Sequence, residues 1–378
     1  MPDLADVVIV GAGILGASLA YELTHRNYRV ALLDSGRPGA GTTASSFAWI
    51  NATSKLDDRT YHHLNALGRD RYDVICGSSA PPGLRPGGAL VWADRSDEAR
   101  LQSVRERARR LQAWGYPVTL LTAPEMRTLE PHLTFADDAE GLFAPADRWL
   151  DAPRAVACLV RDAVRLGCDL RAECPATGFT RDVRGAISTV ECPQGRIATR
   201  HVVITAGLAT PELVASAAGS QAAARWVPVV PAPGLLLELP PRPRIGRVLF
   251  PPDPGWLHMR PTASGGLLAG ADDTDELSRE DRRAAHELLL QRTTAALGAE
   301  AGSLDGRPES RICVRPMPRD GLPIVGAIPD VPGLFAAVTH SGVTLGPLLT
   351  QMLATEIATG RPPDLQLPYR PDRFHVRS

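Results

Sequence analysis

The chain has 378 residues, 44% of them hydrophobic, which is enough for two domains with a core in each. Its formal charge is −1 and no long run of like charges occurs, so nothing electrostatic favours nucleic acid or an anionic membrane as a partner. Lys55 is the only lysine, which excludes a GK[ST] phosphate loop and leaves little room for Schiff-base chemistry.

HExxH and GxSxG are absent as well, so zinc peptidase and serine hydrolase lack their minimum parts. The six cysteines form no CxxC pair and the start of the chain has no basic, apolar leader, so a reduced cytoplasmic setting is expected. No apolar run reaches the roughly 18 residues of a bilayer span, so no membrane span is expected.

In chain order, the first elements are a strand over 6–10, a glycine turn, a helix over 14–26 and a strand over 29–33. Gly11 permits the tight turn, Gly13 lets backbone approach a diphosphate, and Gly16 lets helix and strand pack closely. Asp34 ends the second strand, where a carboxylate can accept from ribose hydroxyls. The order strand, GxGxxG, helix, acid is that of a dinucleotide site. The stretch 36–54 is small and polar, with too many glycines and β-branched residues to start a helix before Thr43, and suits laying amides and hydroxyls along an extended ligand.

Residues 98–113 read as a helix whose "RERARR" (105–110) forms a solvated outer face. A second helix lies within 148–170, with Asp151 as N-cap and Pro153 in the first turn. Residues 176–207 read as a three-stranded antiparallel meander, with turns at Arg184-Gly185 and Gln194-Gly195 and a last, apolar strand that enters the main sheet. Short strands are expected in the Pro-rich 226–271, a helix over 278–297, and strand, turn, strand and helix over 311–360. That last helix starts near Gly342 and stops at Gly360.

Three separated motifs carry a resemblance to the D-amino-acid oxidase and glycine oxidase family of FAD-dependent oxidoreductases. They are the GAGILG turn with Asp34 and "GTTASSFAWIN", the meander ending in "VVITAG" (202–207), and "VRPMPRDGLPIVG" (314–326) followed by "THSGVTLGP" (339–347). A nicotinamide dehydrogenase has no reason to carry the second and third. The resemblance implies an α/β fold: a Rossmann-like, GR2-type FAD-binding domain (1–80, 145–225, 310–378) and a second, antiparallel α+β substrate domain (81–144, 226–309). It places FAD against Gly11, Gly13, Ile14, Leu15, Gly16, Asp34 and Ser35, along Thr42, Thr43, Ala44, Ser45 and Ser46, and beside Ala176, Ala206 and Gly207. Ser341, Gly342, Val343 and Thr344, at the start of the last helix, would meet the flavin edge that gains negative charge on reduction.

The resemblance further implies that Arg315 clamps a substrate carboxylate, a role that suits a planar guanidinium. Alternation puts His258 and Arg260 on one face of a strand and Leu257 and Met259 on the other, one of which covers the flavin. His340 neighbours the site, and Trp49 either walls the pocket or packs in the core. Cys313 stands where a cousin, monomeric sarcosine oxidase, anchors its flavin; noncovalent flavin is nevertheless expected here. Leu268 stands where that cousin has an oxygen-activating lysine, so reaction with oxygen is expected to be slow unless Arg260 supplies the cation. The implied reaction is oxidation of an amino acid or secondary amine carrying a carboxylate to an imine, with oxygen or another electron acceptor as the second substrate. A 2-hydroxy acid on the same fold is the alternative, and FAD as a structural module without turnover a further one. Chirality, acceptor and oligomeric state are left open.

Overall fold

The computed structural model describes residues 3–75, 83–240, 245–298 and 307–375; Cys76 and the expected boundary at 80/81 lie outside them. The opening prediction holds: Val7–Val10 and Val30–Leu33 are parallel neighbours joined by the helix Ile14–His25. They lie within a six-stranded sheet, in the order Asp169–Arg171, Val30–Leu33, Val7–Val10, His201–Ile204, Leu334–Val338, Ile324–Ala327. The sheet is parallel except for its last strand. Its central strands are almost wholly apolar because helices cover one face and further structure the other, whereas the edge strand Asp169–Arg171 carries charge.

The first face carries Ile14–His25, Ala152–Arg165, Gly342–Thr359 and a helix that the sequence reading did not assign, Arg59–Ile75. Asp151 caps Ala152–Arg165 as expected, accepting from the Arg154 amide at 3.3 Å. The helix is shorter than its segment, since Arg148–Leu150 and Asp169–Arg171 on either side are strands.

The meander also differs from expectation in one respect. Gly178–Arg181, Ile187–Cys192 and Gly195–Ala198 form it, but the chain then breaks at Thr199-Arg200 and restarts as His201–Ile204 in the parallel sheet. One apolar stretch therefore serves two sheets. Its continuity in sequence hid the corner.

An eight-stranded sheet forms the second layer, and its long edge pair is Val229–Leu239 with Glu309–Pro318. Pro-rich sequence suggested short strands here, yet the first of these has 11 residues. The register explains it. Val229 pairs with Pro318, Pro231 with Pro316 and Pro233 with Val314. All four prolines thus fall in alternate pairs of one parity, where no N–H is needed between the two strands. The predicted helix over 278–297 is two helices, Asp272–Glu280 and Arg282–Leu297, because Asp281 leaves helical backbone and caps the second through the Arg283 and Ala284 amides, both at 2.9 Å.

Leu235, Leu237, Leu257, Met259 and Ile312 face the core between this sheet and those helices. His258, Arg260, Leu268, Cys313 and Arg315 consequently face the other way, toward the parallel sheet. Among the described residues no helix is long and apolar enough to cross a membrane.

Candidate active site

The parallel sheet brings the first two motifs into contact. Gly11 has φ +104°, and a Cβ there would lie 2.8 Å from Ala206 Cα. A Cβ on Gly16 would lie 1.8 Å from the Gly11 carbonyl oxygen, so both positions exclude any side chain. Thr205 completes the junction by donating its hydroxyl to the Gly11 carbonyl at 2.7 Å. Gly13 is different: a Cβ there meets only Thr43 Oγ1, at 3.3 Å. The absence of a side chain at Gly13 keeps space open in front of the helix formed by Ile14, Leu15 and their successors. Thr43 Oγ1 accepts from the Ile14 amide at 3.2 Å.

Asp34 stands at the end of its strand as expected, accepting from the Ala12 amide at 2.6 Å and from Gly36 at 2.8 Å. Ser35 beside it is exposed. The Cys174 amide donates to the Asp34 carbonyl at 2.7 Å, which brings Ala176 and the start of the meander to the acidic end of the cleft. Gly207, with φ +57°, turns the chain away just after Ala206.

The third motif closes on the small polar stretch. Thr42–Ser45, Ala44 included, is a single helical turn, starting one residue before the expected limit at Thr43, and the Thr42 hydroxyl donates to the Val314 carbonyl at 2.8 Å. Ser46 donates to the Thr43 carbonyl at 2.9 Å. Cys313 lies beneath this turn, buried with Leu236 and Leu268 and with Phe47 against them. Burial pushes its thiol up, which disfavours the thiolate.

Ser341 is the N-cap of the last helix, but its side chain does not bond the helix amides. Its hydroxyl instead accepts from Tyr61 at 3.1 Å and lies 3.0 Å from His340 Nε2. The first amides, at Gly342, Val343 and Thr344, have no intrahelical partner by helix geometry. Thr344 donates its hydroxyl to the Trp49 carbonyl at 3.1 Å, tying the "FAWIN" strand to this helix. Pro347 lies inside the helix and cannot bond the Val343 carbonyl four residues back. The Tyr72 hydroxyl does so in its place.

Arg315 extends from the long edge strand, its side chain 42% exposed, and binds Asp275 at 3.0 Å. Gly234, opposite Cys313, makes room for the pair, since a Cβ there would lie 2.9 Å from Asp275 Oδ2. Burial raises the Asp275 carboxyl to about 6 against the pull of Arg315. His340 is held neutral, its pKa lowered to about 3 by burial and by the charges of Lys55 and Arg315. Its buried Nδ1 has no hydrogen-bond partner. His258 is also held down by burial, with Nδ1 3.0 Å from the Trp256 carbonyl and its ring edge-on to Phe47 at 4.6 Å.

Arg260 does not stand free as a cation. It donates to the Phe47 and Pro261 carbonyls and lies 4.9 Å from the Trp149 ring, and burial lowers it to about 10. Trp49 packs on Phe250 at 4.9 Å beside a buried cluster. Lys55, discounted in the sequence because it was alone, lies in this group, as does Tyr61. The unassigned helix that carries Tyr61 left a readable signal: Asp58 caps the Thr60 and Tyr61 amides at 2.6 and 3.0 Å, and Leu64, Gly68, Tyr72 and Ile75 follow on one face.

The glycine cradle, the acid that follows it and a last helix whose first amides are free make up the arrangement of a dinucleotide site. Residues 6–356 match the FAD-dependent oxidoreductase family DAO, and the chain belongs to that family. It is 28% identical over 386 residues to an uncharacterised oxidoreductase, YurR, of Bacillus subtilis, covering 97% of this chain and 99% of that one. It is 26% identical over 364 residues to the glycine oxidase of Geobacillus kaustophilus, covering 92% of each. The crystal structure of glycine oxidase from Geobacillus kaustophilus superposes with a TM-score of 0.81 at 24% identity, over 99% of this chain and 100% of that one. The protein is thus an FAD-dependent oxidoreductase, and the residues present fit the cofactor: open space at Gly13 for a diphosphate and unpartnered helix amides at Gly342–Thr344 for a polar ring edge.

Proposed function

We propose that this oxidoreductase acts on an amino acid or secondary amine carrying a carboxylate, and that Arg315 holds that carboxylate. The observation that carries the reading is a half-exposed guanidinium, held by Asp275 and the Ala232 carbonyl, whose charge reaches His258, His340 and Lys55. FAD, when bound, supplies the acceptor for two electrons from the substrate's α-carbon and nitrogen; the imine left behind takes up water. The protein's own residues orient and desolvate. Arg315 fixes one end of the substrate, and Asp275 keeps the guanidinium aimed. His340, uncharged at neutral pH, gives a polar but neutral wall that does not compete for the carboxylate. Phe47 and His258 form the apolar side. Cys313, with its thiol protonated, leaves the flavin noncovalent, and acid precipitation should then release all yellow colour to the supernatant.

The test is anaerobic titration of the yellow protein with D- and L-amino acids, cyclic imino acids, 2-hydroxy acids and amines without a carboxylate. Bleaching by amino or imino acids is expected. Bleaching by hydroxy acids alone, or equally by amines without a carboxylate, overturns the reading.

A further inference from the structure

The single lysine stands on a turn that the fold holds from several sides. Its amide closes on the Ala52 carbonyl at 3.0 Å, and Ser54 donates to Asn51 Oδ1 through its amide and its hydroxyl at 3.1 and 2.8 Å. Thr53 donates its hydroxyl to buried Asp147 at 2.7 Å. The helix Glu98–Ala113 adds two clamps, with Arg107 donating to the Thr53 carbonyl at 3.4 Å and Arg110 to that of Leu56 at 3.3 Å. The "RERARR" face is therefore only partly a solvated one, and two of its arginines fix the base of Lys55.

The ammonium lies 5.8 Å from the Tyr61 ring centre, and the Tyr61 hydroxyl leads through Ser341 to His340. Lys55 is half-buried, and Asp57, the carboxylate that acts on it, is exposed and makes no ion pair with it within 4.0 Å. Burial and the charge of Arg315 both press on the lysine's proton. Arg315 has Asp275 as its own partner, whereas among the described residues Lys55 makes no ion pair, so no carboxylate contacts the lysine directly. An ordinary amino acid arrives as a net-neutral zwitterion. One with a second carboxylate arrives with net charge −1, and that carboxylate can pair Lys55 directly and offset the repulsion between the two cations.

We propose that Lys55 anchors a second carboxylate, so that the substrates of this site are amino acids or secondary amines with two acidic groups, one held by Arg315 and the other by Lys55. This rests on the amino-acid reading above.

The test is calorimetric binding of glutarate and pentanoate, which differ by one carboxylate, to the oxidised holoenzyme of wild type, Lys55→Met and Lys55→Arg. Wild type is expected to bind glutarate about tenfold more tightly or better. Lys55→Met should remove most of that preference, and Lys55→Arg should keep it. In turnover, aspartate should be favoured over alanine, and N-(carboxymethyl)glycine over sarcosine. Absence of a glutarate preference in wild type, or equal weakening of both ligands by Lys55→Met, overturns the assignment. If no amino acid or amine bleaches the flavin, the amino-acid reading itself fails. If monocarboxylates bleach it as readily as dicarboxylates and Lys55→Met treats both alike, that reading stands and the second anchor falls.

Discussion

At the glycine turn the chain offers its ligand backbone, whereas at the mouth of the cleft it offers side chains. Gly11 and Gly16 lie against atoms of their own motif and of Thr205-Ala206 with no room for a Cβ, and the side chains of Thr205, Thr43 and Asp34 bond the backbone of the turn. The mouth takes Lys55 from a loop, Asp275 from a helix, Arg315 from an edge strand and His340 from the end of the parallel sheet. A backbone site tolerates few residues at each position and announces itself. A side-chain site accepts many residue types and depends on distant segments meeting.

The largest expected effect separates two glycines of the same turn. Gly13→Val should leave a folded, colourless protein, because a Cβ there meets only Thr43 Oγ1, at 3.3 Å, while the branched side chain takes the space that a diphosphate needs. Gly16→Val should lose the fold itself, since its Cβ would overlap the Gly11 carbonyl. Visible absorption and thermal unfolding, measured on both, break the comparison if Gly13→Val stays yellow or if Gly16→Val melts like wild type.

Next in size is Arg315→Met. A charge-assisted bond contributes about 1.5–3 kcal/mol, so kcat/KM for a carboxylate substrate should fall roughly tenfold to more than a hundredfold with flavin content unchanged. Arg315→Lys should recover only part, because it keeps the charge and loses the fork. A loss within about twofold would move the clamp elsewhere.

Tyr72→Phe sharpens the other half of the comparison, because it acts on the backbone of the last helix through the Val343 carbonyl and not on a substrate-binding side chain. Removing the hydroxyl leaves the Val343 carbonyl without the donor that replaces the N–H absent from Pro347. Denaturant unfolding should show about 1–3 kcal/mol less stability. A flavin spectrum like that of wild type is expected; unchanged stability would mean that another donor takes the carbonyl.

The smallest effect is one of pH. Asp275, raised to about 6, neutralises as pH falls through that value, and Arg315 then faces the cleft without its competing anion. The affinity of pentanoate should therefore rise severalfold on acidification through about pH 6. Among the groups facing the pair, His340 stays neutral down to about 3, His258 is displaced downward, and Lys55 and Asp272 add charge of opposite sign. Asp275→Asn should flatten the profile. Affinity that weakens on acidification would remove Asp275 from the substrate's surroundings.

Much of the fold was legible because its signals are local. Asp151 ahead of Ala152-Pro153, Gly360 with φ +71° after the last helix, and the strand–turn–helix at 7–25 each depend on residues a few positions apart. Two of the misreadings share a cause: Thr199-Arg200 turns a strand from one sheet into another, and the prolines of 229–239 fit a long strand only because of the register opposite them, neither of which is visible without the partner strand. Asp281, which divides one helical pattern into two, is a local cap that the apolar and charge spacing masked.

The sequence by itself determined the candidate nucleotide end of this protein: the strand–turn–helix, the acid after it and the last helix with its start at Gly342. It could do so because φ, Cβ sterics and helix caps act within a few residues. At the candidate substrate end the sequence named residues, Arg315, His258 and His340 among them, and tertiary structure decided their surroundings. Packing turned Arg260 away toward Phe47 and Trp149, directed Arg315 beside Asp275, and placed Lys55 next to Tyr61 and His340. What a side-chain cation does depends on which charges and carbonyls reach it, and that is set by contacts across the whole chain.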